Sequence, residues 1–156
     1  MHKFHSTRGI GLLELMLGLI ISSLVVLGVL QYVQVAERNM RITRAVSMVH
    51  TLVDSGYRWL ETTVPSAVVT DQNIIPAMAQ AYYVPESYAD LKSSPWHTAI
   101  SMQVQNKAYQ GQVLHMVLDG MSLQDCEQLK QRLSDMANAL VCRESAMGNY
   151  QLGGEF

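Results

Sequence analysis

The chain has 156 residues, with 11 basic against 13 acidic side chains, a formal net charge of −2 at pH 7, and 49% hydrophobic residues. The few basic residues beyond position 90 are scattered, which disfavours binding to nucleic acid phosphates. No P-loop, dinucleotide-binding fingerprint or nucleophile elbow occurs, and neither the two cysteines nor the five histidines have metal-ligand spacing. We therefore expect no enzyme, no catalytic residues, no cofactor and no metal site.

The first informative element is the apolar run over residues 10–36, which contains one charge, Glu14. It exceeds the roughly 20 residues that a helix needs to cross a bilayer. Lys3 and Arg8 precede it, so the positive-inside rule places the N-terminus in the cytoplasm and the residues after Ala36 outside. A secretory signal peptide fits poorly, because the small residue Gly9 precedes the apolar run instead of following it.

The segment Arg8-Gly9-Ile10-Gly11-Leu12-Leu13-Glu14 resembles the class III signal of type IV pilins and type II secretion pseudopilins. The resemblance implies that residues 1–9 are a leader peptide, that a prepilin peptidase cuts after Gly9, and that it N-methylates Ile10. The family usually has Phe or Met at that new N-terminus, so Ile10 is a departure. Cleavage would remove Lys3 and Arg8 and leave a formal charge of −4.

Glu14 lies one helical turn inside the apolar run, where a carboxylate is costly and therefore a candidate functional group. The resemblance suggests that it pairs with the Ile10 ammonium of a neighbouring subunit and sets the register during assembly. Without a partner, a carboxylate among packed apolar helices would be expensive. The alternative is that Glu14 reaches the cytoplasmic interface by snorkelling.

Helical periodicity continues past the apolar run. No proline occurs before Pro65, and one face of residues 37–62 repeats apolar or small side chains at steps of three or four: Ile42, Val46, Val49, Val53, Gly56 and Leu60. We expect one helix from 10 to 62, with residues 10–36 as the transmembrane or filament-core half. Residues 37–62 would be an amphipathic half lying on a sheet. Arg38, Arg41 and Arg44 would contact lipid phosphates or a neighbour's acidic groups, or form a solvated helix face.

Residues 63–156 read as a globular head. Four prolines at spacings of about ten predict loop over 63–98, with a short helix around Ala77–Tyr82. The loop's aromatic residues would cap the core or form a binding surface: Tyr82, Tyr83, Tyr88 and Trp96. Alternation predicts strands at 99–104 and 113–118, joined by a hairpin over 106–111. Asp119-Gly120 predicts a turn, Ser122 an N-cap for a helix running to about Leu140, and 150–152 a last short strand.

Cys126 and Cys142 are the two cysteines, and both fall on the predicted outer side. Because that compartment is oxidising, we expect them to form a disulfide that closes a short loop in a head with a limited core. The expected fold class is α+β: a long N-terminal helix packed on a small antiparallel sheet, with a disulfide-closed C-terminal region, as in the pilin fold.

Short motifs in the head resemble the type IVb pilins, including those of conjugative thin pili. They are the "IP" helix segment at Ile75-Pro76, the "P-W" pair at Pro95-Trp96, and the "L-S-x-x-x-C-x-x-L" motif, which here reads Met121-Ser122-Leu123-Gln124-Asp125-Cys126-Glu127-Gln128-Leu129. The leader is shorter than many type IVb leaders, and residues 128–141 offer less sheet than usual. Both a minor pilin and a compact major pilin stay open.

These resemblances imply a single-pass protein of the bacterial inner membrane that is later assembled into an extracellular filament for adhesion, aggregation or mating contact. The implied partners are other copies of the subunit, membrane lipid before assembly, the prepilin peptidase, and an inner-membrane platform with its ATPase. A secretion pseudopilin is one alternative. An uncleaved, membrane-anchored periplasmic binding module is another, from a different functional class.

Overall fold

The computed structural model describes residues 10–62, 72–90, 92–107, 111–145 and 148–156. The leader, with the expected cleavage position Gly9, lies outside the described residues, as do 63–71 of the predicted loop and 108–110 of the predicted hairpin. The described chain belongs to two compact units, divided between Asn39 and Met40. The first consists of the helical residues 10–39, and the second contains the remaining elements.

Helix α1 spans Ile10–Thr62, as the absence of proline and the periodicity predict. Its part within the second unit buries the predicted face: Ile42, Val49 and Val53 are buried, and Ala45 and Leu52 join them at 0% exposure. The opposite face is solvated, and Asp54 and Arg58 form an exposed ion pair of 3.1 Å there. A surface pair of this kind adds little stability, so apolar burial determines how this half of the helix packs.

The sheet that receives α1 has four described strands: β1 (Ile100–Lys107), β2 (Gly111–Met121), β3 (Ala139–Glu144) and β4 (Tyr150–Glu155). All neighbours are antiparallel, in the order β1-β2-β4-β3. Alternate side chains point toward α1 and are buried, among them Met102, Leu114, Met116, Leu118 and Leu152. The expected α+β architecture, a long helix on a small antiparallel sheet, is therefore confirmed.

Gly56 allows α1 to approach this sheet closely. A Cβ at that position would lie 2.8 Å from Leu114 Cδ1 and 3.2 Å from Met102 Sδ, both on the buried face of the hairpin. Tyr57, the next residue, donates a hydrogen bond of 2.5 Å from Oη to the carbonyl oxygen of Phe156. The helix is thus held by apolar packing at one position and by a directional polar contact at the next.

The predicted helix to Leu140 is wrong in its extent. Helix α3 spans Leu123–Leu133, and the chain then turns into β3, which the sequence prediction missed. The polar residues Ser134, Asp135 and Asn138 supply the turn. Asn138 N–H donates to Glu155 O, which begins the pairing of this segment with β4.

The start of α3 follows the prediction. Ser122 is the N-cap, and its hydroxyl accepts from the Asp125 backbone N–H at 3.1 Å. The Asp125 side chain also accepts from Trp96 Nε1 at 3.3 Å. Asp125 therefore ties the Pro95-Trp96 loop to the first turn of α3.

The predicted turn at Asp119-Gly120 is also wrong. Strand β2 runs through both residues to Met121, and its register with β4 shifts between Leu118 and Met121. This irregularity places Gly120 at φ +85°, against Thr98. The Thr98 hydroxyl donates to Asp119 O at 2.5 Å, so the pair of residues forms a bulge anchored to the preceding loop.

The loop before β1 holds α2 (Ile75–Gln80), close to the predicted position, and a 3₁₀ turn at Glu86–Tyr88. Ile75 and Met78 are buried, and Tyr83, Tyr88 and Trp96 pack against the core. The core interpretation of these three aromatic residues is confirmed. Tyr82 differs, because 93% of its side chain surface is exposed.

The expected disulfide is present between Cys126 on α3 and Cys142 on β3, with 6.1 Å between the two Cα atoms. Cys126 is fully buried and Cys142 partly buried against the core. The bond joins the helix that precedes the missed strand to the strand itself. It therefore ties the edge strand β3 to α3.

Candidate functional site

The first unit presents an apolar helix surface. Every residue from Gly11 to Val35 is exposed in the single chain, including large side chains such as Leu15 at 71% and Leu19 at 72%. Among the described residues, the helix over Gly11–Thr62 is the one long and apolar enough to cross a membrane by length and composition. Contiguous exposed apolar surfaces of this size are typical of regions that contact a membrane or another protein.

Glu14 lies in a shallow groove on that surface. The groove is lined by Gly11, Glu14, Leu15, Gly18, Leu19 and Ser22. Nothing lies within 4 Å of where a Cβ would be at Gly11 or Gly18, so the backbone is open to a neighbour on both sides of the carboxylate. The Ser22 hydroxyl donates to Gly18 O at 2.8 Å, which satisfies that polar group within the helix. Small residues of this kind let helix backbones approach closely in membranes.

The processing residues are described in part. Gly9 lies outside the described residues, and Ile10 is the first residue of α1. Glu14 is therefore one turn from the N-terminus that cleavage would create. The structure places the predicted assembly residue and the predicted new terminus at one end of one helix.

The basic cluster predicted from the sequence follows the apolar surface. Arg41 and Arg44 are exposed, and Arg38 is half-buried. Thr43, within the same turns of helix, accepts a hydrogen bond from Arg132 Nη1 of α3 at 3.3 Å. Both interpretations of the cluster, lipid or subunit contact and a solvated face, are compatible with this exposure.

A cleft of about 140 Å³ opens on the face of the sheet that points away from α1. Its floor is the backbone of β4 at Gly153, where a Cβ would meet nothing closer than His115 Nε2, at 3.8 Å. Its walls are His115 and Val117 on β2 and Ala139, Val141 and Arg143 on β3. The sequence analysis does not predict this cleft, because the predicted helix to Leu140 extends into the first residues of β3.

The described residues contain no group of three or more His, Cys, Asp or Glu side chains that could hold a metal ion. Burial against the head raises the pKa of the Tyr57 phenol, because the neutral form loses less than the phenolate when water is removed. Its role is structural, through the bond to Phe156.

Comparison with known proteins does not place the chain in a family. No family model matches it. No curated protein matches it at a significant level either.

Proposed function

We propose that this protein is the structural subunit of a type IV pilus of the IVb-like kind. It would be processed by a prepilin peptidase in the bacterial inner membrane and assembled into an extracellular filament. The observation that carries the proposal is the fully exposed apolar helix with a single carboxylate in a groove of small residues. Lipid covers that surface before assembly, and the helices of neighbouring copies cover it afterwards.

The groove supports the assignment of Glu14 to assembly. Gly11 and Gly18 leave the carboxylate accessible to another helix, while the leucines beside it keep the surroundings apolar. A buried carboxylate needs a positive partner, and the free ammonium of Ile10 in an adjacent copy has the matching charge. The proposed pair would therefore form only between processed subunits.

The head supports the proposal by its construction. Its disulfide suits an oxidising compartment outside the inner membrane. Its core is closed on α1 by a continuous apolar face and the Tyr57–Phe156 hydrogen bond. The head would form the outer surface of the filament, where adhesion, aggregation or mating contact would occur.

The test is filament assembly in cells that contain a prepilin peptidase, an assembly platform and its ATPase. Full-length wild type, Glu14→Ala, Glu14→Gln and the control Ser22→Ala are compared by the amount of subunit in sheared surface filaments. Ser22 lines the same groove, but its hydroxyl is satisfied by Gly18. The wild type and Ser22→Ala should assemble. Both Glu14 variants should be processed and remain in the membrane.

Three outcomes would contradict the proposal. Assembly of Glu14→Ala at the wild-type level would remove the proposed role of the carboxylate. Processed wild type that never forms surface filaments would favour a secretion pseudopilin, and unprocessed wild type would favour a static membrane-anchored module.

A further inference from the structure

Tyr82 occupies a backbone position that ordinarily belongs to glycine. Helix α2 ends in a pair of hydrogen bonds, Tyr83 N–H to Met78 O at 2.9 Å and Tyr82 N–H to Ala79 O at 3.0 Å. This is the Schellman arrangement, in which the residue after the C-cap adopts a left-handed conformation. Tyr82 has φ +61°, although a side chain is disfavoured there.

The side chain of Tyr82 contributes nothing evident to the fold. It is 93% exposed, whereas Tyr83 and Tyr88 in the same loop pack against the core. A bulky aromatic residue held in a disfavoured conformation and directed into solvent suggests an intermolecular role. Tyrosine is also among the residues that most often anchor protein interfaces.

The cleft on the outer face of the sheet has a size and lining that suit an aromatic ring. Its volume of about 140 Å³ is close to the roughly 150 Å³ that accommodates a benzene ring inside a protein. The side chains of Val117 and Val141 supply apolar walls, and Val141 is 45% exposed in the single chain. His115 and Arg143 lie at the same walls and offer polar partners for a phenol hydroxyl.

The segment that carries Tyr82 and the cleft contact opposite edges of one sheet. The segment that carries Tyr82 begins at the β1 edge, where Ile74 N–H donates to Met102 O at 2.8 Å. The cleft spans β2, β4 and β3 and reaches the other edge. An exposed side chain on one side of the head and a cleft on the other can make a head-to-tail contact between copies. Such a contact propagates from copy to copy instead of closing into a symmetric pair.

We propose that the Tyr82 ring of one head inserts into the β2–β4–β3 cleft of a second copy of this chain, and that this contact links adjacent heads along the filament. The inference rests on the proposed function, since a propagating contact requires a polymer. It adds a specific head-to-head contact to the packing of the apolar helices. Both halves of the contact lie within the described residues of the second unit.

Two substitutions test the contact without threatening the fold. Tyr82→Gly removes the aromatic side chain and places glycine, the preferred residue, at the left-handed position. Gly153→Val fills the floor of the cleft, where a Cβ would lie at ordinary contact distance from His115 Nε2. Gln80→Ala, an exposed change on α2, is the control. The amount of subunit in sheared filaments should fall at least about tenfold in the first two variants and stay unchanged in the control.

A thiol cross-link locates the contact directly. Both cysteines of the chain are in the Cys126–Cys142 disulfide, so an introduced cysteine is the only free thiol. Cells co-express full-length Tyr82→Cys with full-length Val141→Cys, and sheared filaments are treated with a short bis-maleimide. Dimers should form with this pair. They should not form when Ser101→Cys, on the same outer face but on β1, replaces Val141→Cys.

The outcomes separate this contact from the proposed function. If wild-type filaments form while Tyr82→Gly and Gly153→Val assemble normally, or if the Tyr82–Val141 pair gives no dimer, the contact is refuted and the filament proposal stands. Filaments that remain intact but lose surface binding in Tyr82→Gly would assign Tyr82 to a receptor and also refute it. If wild type forms no filaments, the proposed function fails first.

Discussion

Tyr57 Oη and the carbonyl oxygen of Phe156, 99 positions apart in sequence, are joined by a hydrogen bond of 2.5 Å. Phe156 and Leu114 also exchange two backbone hydrogen bonds. The Phe156 N–H donates to Leu114 O at 2.9 Å, and the Leu114 N–H donates to Phe156 O at 3.2 Å. Phe156, which directly follows β4, is therefore bonded to both α1 and β2. This junction predicts measurable coupling between α1 and the sheet.

Replacing Tyr57 with phenylalanine should remove this bond and leave the ring in place. The free energy of unfolding should fall by about 1 kcal/mol, the usual net value of one hydrogen bond. Denaturant unfolding of the full-length protein in detergent measures it, with the exposed Tyr82→Phe as the control. An unchanged midpoint in Tyr57→Phe would show that the bond does not contribute.

The raised pKa of Tyr57 predicts loss of stability in alkali. The folded state holds the phenol proton more tightly than the unfolded state, so the contribution is complete below the unfolded pKa of about 10 and is lost as the pH rises through the higher folded pKa. The stability difference between wild type and Tyr57→Phe should therefore be constant near neutral pH and shrink above pH 10. A difference that grows with pH would reverse the sign and contradict the assignment.

The disulfide should contribute substantially to the stability of the head. The two cysteines are 16 positions apart, and a loop of that size corresponds to about 3 kcal/mol on the chain-entropy model. The double change Cys126→Ser with Cys142→Ser should lower the free energy of unfolding by about that amount. Wild type treated with a reductant should lose a similar amount, whereas the reductant should not affect the double variant.

Gly120 should tolerate no side chain. At φ +85° an alanine is strained, and its Cβ would overlap Thr98 Cγ2. Gly148 is the matched control, because it has φ +74° with nothing within 4 Å of its Cβ position. Gly148→Ala should cost about 1 kcal/mol from the backbone alone. Gly120→Ala should cost about 3 kcal/mol once overlap is added; equal losses would argue against the bulge packing.

Tyr82→Gly should stabilise the monomeric protein while it weakens assembly. Relief of the left-handed conformation gains about 1–2 kcal/mol, and the greater freedom of glycine in the unfolded chain offsets about 0.5–1 kcal/mol. The net free energy of unfolding should rise by about 0.5–1 kcal/mol in denaturant unfolding. A loss of stability would mean that the Tyr82 ring contributes to the fold after all.

Much of the fold follows from local patterns in the sequence. The extent of α1 follows from the absence of proline and a 3.6-residue repeat, and the hairpin follows from alternation. The disulfide follows from two cysteines in a segment that is predicted to lie in an oxidising compartment. The signals for the helix and the strands are strong for two reasons. A helix satisfies its own backbone hydrogen bonds, and the spacing of apolar residues in a helix or strand directly indicates its buried face. The sequence also predicts the start of α3, because Ser122 is a favoured N-cap residue in front of a helical apolar repeat.

The errors arose where distant contacts override local pattern. Residues 139–144 are a strand because β4 supplies a partner edge, and Asp119-Gly120 stays in β2 because Thr98 anchors the bulge. Ser134 and Asn138, which are residue types that favour turns, are the local feature of the sequence that indicates the end of α3. The cleft at Gly153 depends on both β3 and β4, so no single segment could have indicated it.

In the proposed function, the apolar helix belongs to a subunit that is processed before it assembles. The most direct measurement is the intact mass of the protein extracted from membranes of cells with and without a prepilin peptidase. We expect loss of residues 1–9 and gain of one methyl group on Ile10, only when the peptidase is present. An identical, unprocessed mass in both cells would contradict it and leave a static membrane-anchored domain.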